Sequence, residues 1–524
     1  MAAAPTTDLV TPTLAGLIRE HSATIGDRPA FTFEGRVMTY RDLDERSSRV
    51  AQGLRAAGLG AGDRVAVLDR NGLELFELLF GAAKIGAVLV AVNWRLAPAE
   101  MAYVVADAAT RLLVVGTEFA DIVDEVAGDV PTVLVTGPAT AGLESWDTWI
   151  GRYPAEDPSE DAGPDGVAIQ FYTSGTTGLP KGAMLTNASV FALVPVVSDL
   201  LGMDASSVSL VAMPLFHVAG AGWAIFGLAN GSHNVMLRDV DLPLILETIP
   251  RFGITHAVFV PAVLQFLLTV PGIEDVDFSS LEMIVYGASP ISEDVLIRSI
   301  DRFGTRFVQC YGLTETNGAV VVLPPEDHDP GGPRAHRLRS AGIALPGVEL
   351  RIVDVAGRDV PTGAVGEVWI RSPSNMSGYW NLPEATGTAL DADGWFRSGD
   401  AGCLDADGYL YISDRVKDMI ISGGENVYPA EVEHALMNHP AVADVGVIGV
   451  PDDRWGETVK AIVVRSPGTN PTPDELISWC RERVAHYKCP TSIDWAEALP
   501  RNPSGKILKR ELRETYWRGR DRQV

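Results

Sequence analysis

Cysteine is scarce in this chain: four residues in 524, at Cys310, Cys403, Cys480 and Cys489. They form no C-x-x-C pair and have no zinc-ligand spacing, which excludes a disulfide framework and a cysteine metal cage and fits a reducing cytoplasm. Positive charge is also short. Against 68 acidic residues stand 42 basic ones, a formal net charge of −26, and a surface of that sign repels nucleic-acid phosphates. Any nucleotide partner is therefore expected to be a small molecule. No long apolar run is unbroken: Val208 to Ala229 carries no charge, but Pro214, His217, Gly220, Gly222 and Gly227 interrupt it, so a buried strand, turn and helix is expected rather than a membrane span. A basic stretch followed by an apolar core is missing at the N-terminus, so no secretory signal is expected. Internal repeats and low-complexity tracts are missing too. The glycines at 58, 60 and 62 precede the strand-like run Arg64 to Leu68, whereas a dinucleotide fingerprint lies between a strand and a helix; they read as a helix stop.

What is present points to two or more domains, since a chain of this length that is 46% hydrophobic exceeds one ordinary core. Arg64 to Leu68, Glu74 to Ala87, Val88 to Val92, Pro98 to Ala108 and Arg111 to Val115 alternate as βαβαβ, the rhythm of a parallel sheet. Pro154 to Gly166 is acidic and rich in Pro and Gly, an exposed loop. Ile254 to Val260, Met283 to Tyr286 and Arg306 to Cys310 read as further strands, and Pro261 as the first residue of a helix. After about Gly347 the strands shorten (Val348 to Val353, Val365 to Ile370) into a small β-rich unit. From Lys417 onward, strands at Asp444 to Val450 and Val459 to Val464 mix with helices at Glu431 to Asn438 and Pro473 to Ala485, enough for a separate domain. The fold class expected is α/β: a large N-terminal domain of layered α/β subdomains with the β-rich unit, followed by a small mobile α+β C-terminal domain.

The strongest chemical signal is YTSGTTGLPKG, Tyr172 to Gly182, behind the strand-like run Val167 to Phe171. Gly175 and Gly178 let backbone amides approach phosphate oxygens, Thr173, Ser174, Thr176 and Thr177 offer hydroxyls, and Lys181 adds a cation. It is not a Walker A loop, because Pro180 precedes the lysine and Gly182 follows it.

With this loop the chain resembles the acyl-CoA synthetase, luciferase and nonribosomal-peptide adenylation superfamily, the fatty-acyl and aryl-CoA ligases in particular. Further motifs recur in that family's order over nearly the whole chain: PLFHVAG at Pro214 to Gly220, YGLTE at Tyr311 to Glu315, FRSGD at Phe396 to Asp400, SDRVKDMI at Ser413 to Ile420, GGENVYPAE at Gly423 to Glu431 and PRNPSGK at Pro500 to Lys506. The resemblance implies activation of a carboxylic acid by ATP as an acyl-AMP, then transfer to coenzyme A, with Mg2+ as metal and no nucleic-acid partner; a homodimer is compatible with it. It implies an N-terminal adenylation domain over 1–413, a hinge over 414–417 centred on Lys417, and a mobile domain over 418–524.

Residue by residue, the resemblance makes Lys506 the cation that bridges carboxylate and α-phosphate, and Glu315, with Thr177, the metal-facing pair. A carboxylate attacking a phosphate brings two anions together, so positive charge is needed where negative charge builds up. Thr314 can donate to the α-phosphate, Tyr311 offers a face to adenine, and Asp400 can accept both ribose hydroxyl protons, with the fork of Arg415 reaching the same sugar. Gly287, Ala288, Ser289, Cys310, Gly312, Leu313 and Ile412 complete the expected nucleotide site. His217 is expected to gate an acyl pocket lined by Val218, Ala219, Gly222, Val260, Gly287 and Gly312, small and apolar enough for a roomy hydrophobic acid. Gly423, Gly424 and Glu425 are expected to line the coenzyme A tunnel, where missing side chains pass a thin arm.

Other readings compete. An amino-acid adenylation module would place a carboxylate within His217 to Gly222, where this chain has none, and no carrier domain follows residue 524. An acyl-AMP ligase loading a carrier protein stays open, as does a luciferase from fold alone. A regulatory protein that has lost catalysis is disfavoured because Thr177, Glu315, Asp400, Arg415 and Lys506 are all present.

Overall fold

The computed structural model describes residues 12–173, 179–289, 291–415, 418–422, 425–452, 454–501 and 507–518. Four sheets organise it. In the first large sheet the strands Val88–Ala91, Arg64–Leu68, Thr110–Val115, Thr132–Val135 and Val167–Thr173 run parallel, and Lys181–Thr186 extends one side antiparallel to Val167–Thr173, with the two-residue strand Gly378–Tyr379 outside it. In the second, His233–Met236, Val208–Val211, His256–Phe259, Met283–Gly287 and Arg306–Leu313 are parallel neighbours, and Gly318–Leu323 extends one side antiparallel to Arg306–Leu313, with the two-residue strand Ile343–Ala344 outside it. The same device recurs: a mostly parallel sheet whose flank is an antiparallel hairpin.

Strand alternation explains the layering. Val65 and Val67 enter one core with helices Leu14–Ile25, Tyr40–Ala56, Leu73–Ala83 and Val218–Ala229, while Ala66 and Leu68 face another with helix Pro98–Asp107. In the second sheet Met283 and Val285 share the central core, and Ile284 and Tyr286 face helices Leu242–Phe252, Pro261–Leu267 and Glu293–Phe303. The result is helix, sheet, helix, sheet, helix, which buries both faces of each parallel sheet. The run Val208 to Ala229 divides as expected into strand, turn and buried helix, and among the described residues no helix is long and apolar enough to cross a membrane.

The β-rich unit is a four-stranded antiparallel sheet, Glu349–Val353, Gly366–Arg371, Trp395–Leu404 and Leu410–Arg415. The C-terminal domain has its own core, built on the hairpin Val442–Asp452 and Gly456–Arg465, with helices Pro429–Met437 and Pro473–Arg481. The last of these stops earlier than the expected Ala485, and a short turn at His486–Lys488 follows. The final basic helix is Lys509–Trp517.

One buried cation ties the acidic loop to the body. Lys84 has no exposed side-chain surface and its Nζ lies 2.5 Å from Asp44 and 2.9 Å from Asp157. Burial alone would push the Asp157 carboxyl up, but hydrogen bonds from Arg19 and Lys84 outweigh it and hold it down at about 2. Because that carboxyl is depressed from 3.8, its contribution is present above the unfolded value and is lost as pH falls through about 2. Lys84→Met is expected to cost about 3–5 kcal/mol in urea unfolding, since two carboxylates lose a buried partner; a loss below about 1 kcal/mol would contradict a structural role.

Candidate functional site

The phosphate-loop motif lies on the hairpin of Val167–Thr173 and Lys181–Thr186, with Thr173 opposite Lys181. Ser174, Gly175, Thr176, Thr177 and Gly178, at its tip, lie outside the described residues. The base of the hairpin is held from several sides. Tyr172 donates to Asp107 at 2.6 Å and accepts from Gln170 at 3.1 Å; burial, then the Asp107 carboxylate, pushes the Tyr172 phenol up, so it remains a donor. The Trp380 indole donates to the Asp107 carbonyl at 2.9 Å and carries the Arg64 guanidinium 3.3 Å above its ring.

The second hairpin, Arg306–Leu313 and Gly318–Leu323, places Glu315 in its turn. The strand runs on past the expected end at Cys310, so Tyr311, Gly312 and Leu313 belong to it. Gly312 is fixed by sterics, because a Cβ there would come 1.7 Å from the Gly318 carbonyl. Glu315 is buried. Its Oε1 accepts from the Tyr379 hydroxyl at 2.8 Å and from Thr173 at 3.4 Å, so the glutamate expected to face the metal meets the hairpin that carries the phosphate-loop motif.

In the third hairpin, Trp395–Leu404 and Leu410–Arg415, Asp400 and Arg415 are direct cross-strand partners, and Ile412 sits opposite Gly402. The Arg415 side chain lies outside the described residues. Asp400 is 6% exposed and accepts the Tyr311 hydroxyl at 2.7 Å, which joins the expected adenine face to the expected ribose acceptor.

The remaining candidates follow from strand order. Val208–Val211, His256–Phe259, Met283–Gly287 and Arg306–Leu313 are consecutive parallel neighbours, so the segments after them lie side by side at one edge, the usual binding edge of such sheets. Those segments carry His217 to Gly222, Val260, Gly287 to Ser289, and Leu313 to Glu315. His217 stands at the N-cap of helix Val218–Ala229, half-buried, its ring 4.5 Å from that of Phe216. Val218 packs between Gly222 and Gly318: its Cγ2 would lie 3.1 Å and 3.6 Å from a Cβ at each, so the acyl-pocket helix rests on the glutamate hairpin. Ala219 is half-buried beside it, and Val260 caps helix Pro261–Leu267. Gly287 allows close approach to the Cys310 carbonyl, which a Cβ would meet at 2.1 Å. Desolvation pushes the Cys310 thiol up to about 12, away from the thiolate form.

Lys417, Gly423, Gly424 and Lys506 lie outside the described residues, and of Glu425 only the backbone, paired with Ser422, is described. Sequence reasoning missed Tyr379 and Trp380. Their signal was a Gly-Tyr-Trp run at 378–380 between strands of the β-rich unit, but in the fold Gly378–Tyr379 leaves that unit and pairs with Lys181–Thr186.

The parallel sheets, the three converging hairpins and the buried carboxylates define an adenylate-forming ligase. The family description "AMP-binding enzyme" matches residues 18–380 and "AMP-binding enzyme C-terminal domain" matches residues 431–506. The chain is 43% identical to a fatty acid–[acyl-carrier-protein] ligase, ScoC, of Streptomyces coeruleorubidus over 95% of both chains. It is 40% identical to a feruloyl-CoA synthase of Amycolatopsis over 92% of this chain and 94% of the relative. The ATP-bound crystal structure of MatB from Rhodopseudomonas palustris superposes with a TM-score of 0.87 at 31% identity, covering 96% of this chain and 99% of that one. The chain belongs to the AMP-binding enzyme family, and is an ATP-dependent, AMP-forming acid ligase.

Ala288 adopts φ +68° beside this edge, a conformation that β-branched residues resist. Ala288→Val is expected to raise the Kd for ATP by about tenfold, the equivalent of about 1.4 kcal/mol of backbone strain, while Ala288→Gly keeps it. Equal affinities in equilibrium dialysis would show that this backbone does not shape the nucleotide site.

Proposed function

We infer that the enzyme condenses a hydrophobic carboxylic acid with ATP to give acyl-AMP and pyrophosphate, then transfers the acyl group to the thiol of coenzyme A. The observation that carries this reading is the meeting of three hairpins: Thr173 with Glu315, and Tyr311 with Asp400. An acid oxygen attacks the α-phosphorus as its bond to the pyrophosphate oxygen breaks; the thiol sulfur then attacks the acyl carbon and AMP leaves.

The roles divide by chemistry. The amides and hydroxyls of 173–178 and the cation of Lys181 hold the β- and γ-phosphates. Thr314 donates to the α-phosphate. Tyr311 and the 287–289 segment bound adenine, and Asp400 with Arg415 holds the ribose. Lys506 bridges the two reacting anions. Among the described residues no group of three metal-ligating side chains occurs; one carboxylate, Glu315, with nearby hydroxyls fits Mg2+, which keeps phosphate and water oxygens as its main ligands. Glu315 and Thr177 would hold that ion, whose charge neutralises the departing pyrophosphate. The thiol must reach a carbonyl already surrounded by the adenylating groups, and rotation of 418–524 about Lys417 within 414–417 removes Lys506 from the site and brings Gly423, Gly424 and Glu425 to the pantetheine arm. We read 1–413 as the domain against which this rotation occurs, in a cytoplasmic enzyme, with a homodimer the assembly that light scattering would test.

His217, Val218, Ala219, Gly222, Val260 and Gly312, at the strand-end edge, support an apolar acid, fatty, aryl or polycyclic. A second reading, delivery to a carrier protein, is favoured by the 43% identity to ScoC. Purified enzyme given ATP, a panel of acids and either coenzyme A or a carrier protein separates the two by product mass. Lys506→Ala is expected to reduce pyrophosphate exchange by about a thousandfold, the loss of a principal transition-state cation, while thioester formation from supplied acyl-AMP stays near the parental rate. Equal loss in both half-reactions would refute that division.

A further inference from the structure

Tyr379 belongs to none of the motifs that carry the resemblance, yet its side chain stands between two charged groups of the nucleotide site. Its hydroxyl donates to Glu315 Oε1 at 2.8 Å, and the Lys181 ammonium lies 5.1 Å from the centre of its ring. The residue is 8% exposed. Its backbone is anchored on both sides. Gly378 and Tyr379 pair with Met184 and Ala183, the Ser377 and Trp380 amides donate to the carbonyls of Met184 and Gly182 at 2.9 and 2.8 Å, and the Tyr379 amide donates to Thr386 at 2.9 Å. Gly378, at φ +147°, admits this approach, since a Cβ there would meet Thr386 at 2.8 Å.

The geometry points to Tyr379 as a positioning residue for adenylation, which orients the Glu315 carboxylate toward the metal and keeps it apart from Lys181. A buried carboxylate needs donors. If Lys181 supplied them, the two charges would cancel, and the site would lose a cation for phosphate and an anion for the metal. A phenol satisfies an oxygen without neutralising it. With the Thr173 hydroxyl it occupies Oε1, and among the described residues no hydrogen bond is made to Oε2, which is left for the ion. The ring face meanwhile holds the ammonium by its quadrupole. This rests on the assignment of Glu315 as the metal-facing residue.

Tyr379→Phe keeps the ring and removes the hydroxyl; Tyr379→Leu removes both. Mn2+ affinity is read from the free-ion EPR signal with a non-hydrolysable ATP analogue present, alongside the Mg2+ dependence of pyrophosphate exchange and the melting temperature. In Tyr379→Phe, Mn2+ affinity is expected to fall by about tenfold, the size of one charge-assisted hydrogen bond. Excess Mg2+ restores exchange, and thioester formation from supplied acyl-AMP is unchanged. Tyr379→Leu is expected to raise the KM for ATP in addition, as Lys181 loses its platform. Added to Glu315→Gln, Tyr379→Phe causes no further loss of Mn2+ affinity. Parental Mn2+ affinity in Tyr379→Phe, or losses that add to those of Glu315→Gln, overturns the inference while the metal assignment stands. Parental Mn2+ affinity in Glu315→Gln overturns the assignment of Glu315 itself, and the inference with it. A melting temperature lowered in Tyr379→Phe together with an unchanged Mn2+ isotherm marks a purely structural tyrosine and also overturns it.

Discussion

A site that binds a triphosphate and also presents carboxylates works against its own electrostatics, because anionic side chains face an anionic ligand. The fold resolves this with neutral donors. Glu315 and Asp400, both largely buried, each accept a tyrosine hydroxyl, from Tyr379 and Tyr311 respectively. A phenol meets the hydrogen-bonding demand of a desolvated oxygen without cancelling its charge, which an arginine or lysine would do. In the proposed mechanism this leaves Glu315 an anion for the metal and Lys181 a cation for phosphate.

That arrangement depends on the hairpins at the flanks of two parallel sheets. A parallel strand delivers its C-terminal end to a common edge, but its connection then leaves across a face of the sheet. Closing the flank with an antiparallel strand returns the chain at once, so the turn itself remains at the edge. The segment between Val167–Thr173 and Lys181–Thr186 carries the phosphate-loop motif, and the turn between Arg306–Leu313 and Gly318–Leu323 carries Glu315. They meet where Thr173 donates to Glu315 at 3.4 Å, and the second hairpin is itself held tight by Gly312 against the Gly318 carbonyl. Stable layers beneath, with both faces of each sheet buried, hold the turns in place, while the cation that completes the chemistry is assigned to a separate domain with its own core.

Much of this was legible beforehand because the informative signals are local. The unbroken apolar run Val65 to Leu68 reads as a strand buried on both faces, as it is, and the run Val167 to Phe171 reads as the strand that leads into the Ser, Thr and Gly motif. The register that sets Asp400 opposite Arg415 was not legible: fifteen residues of spacing do not say that the two stand opposite each other, and the turn at Asp405 to Gly408 decides that. The contact of Tyr379 with Glu315 was not legible from its Gly-Tyr-Trp run. Its neighbours on either side belong to the β-rich unit, and only its two-residue strand crosses to another sheet.

By itself, then, the sequence determined the order of elements, the chemistry of each turn and the kind of ligand those turns suit, because hydrophobic period and turn residues act over a few positions. The tertiary structure alone decided which turns meet. Tyr379 and Glu315 are 64 residues apart, Tyr311 and Asp400 89, and Thr173 and Glu315 142. Contacts at such separations are set by sheet order and by packing of shared cores, which no local pattern encodes.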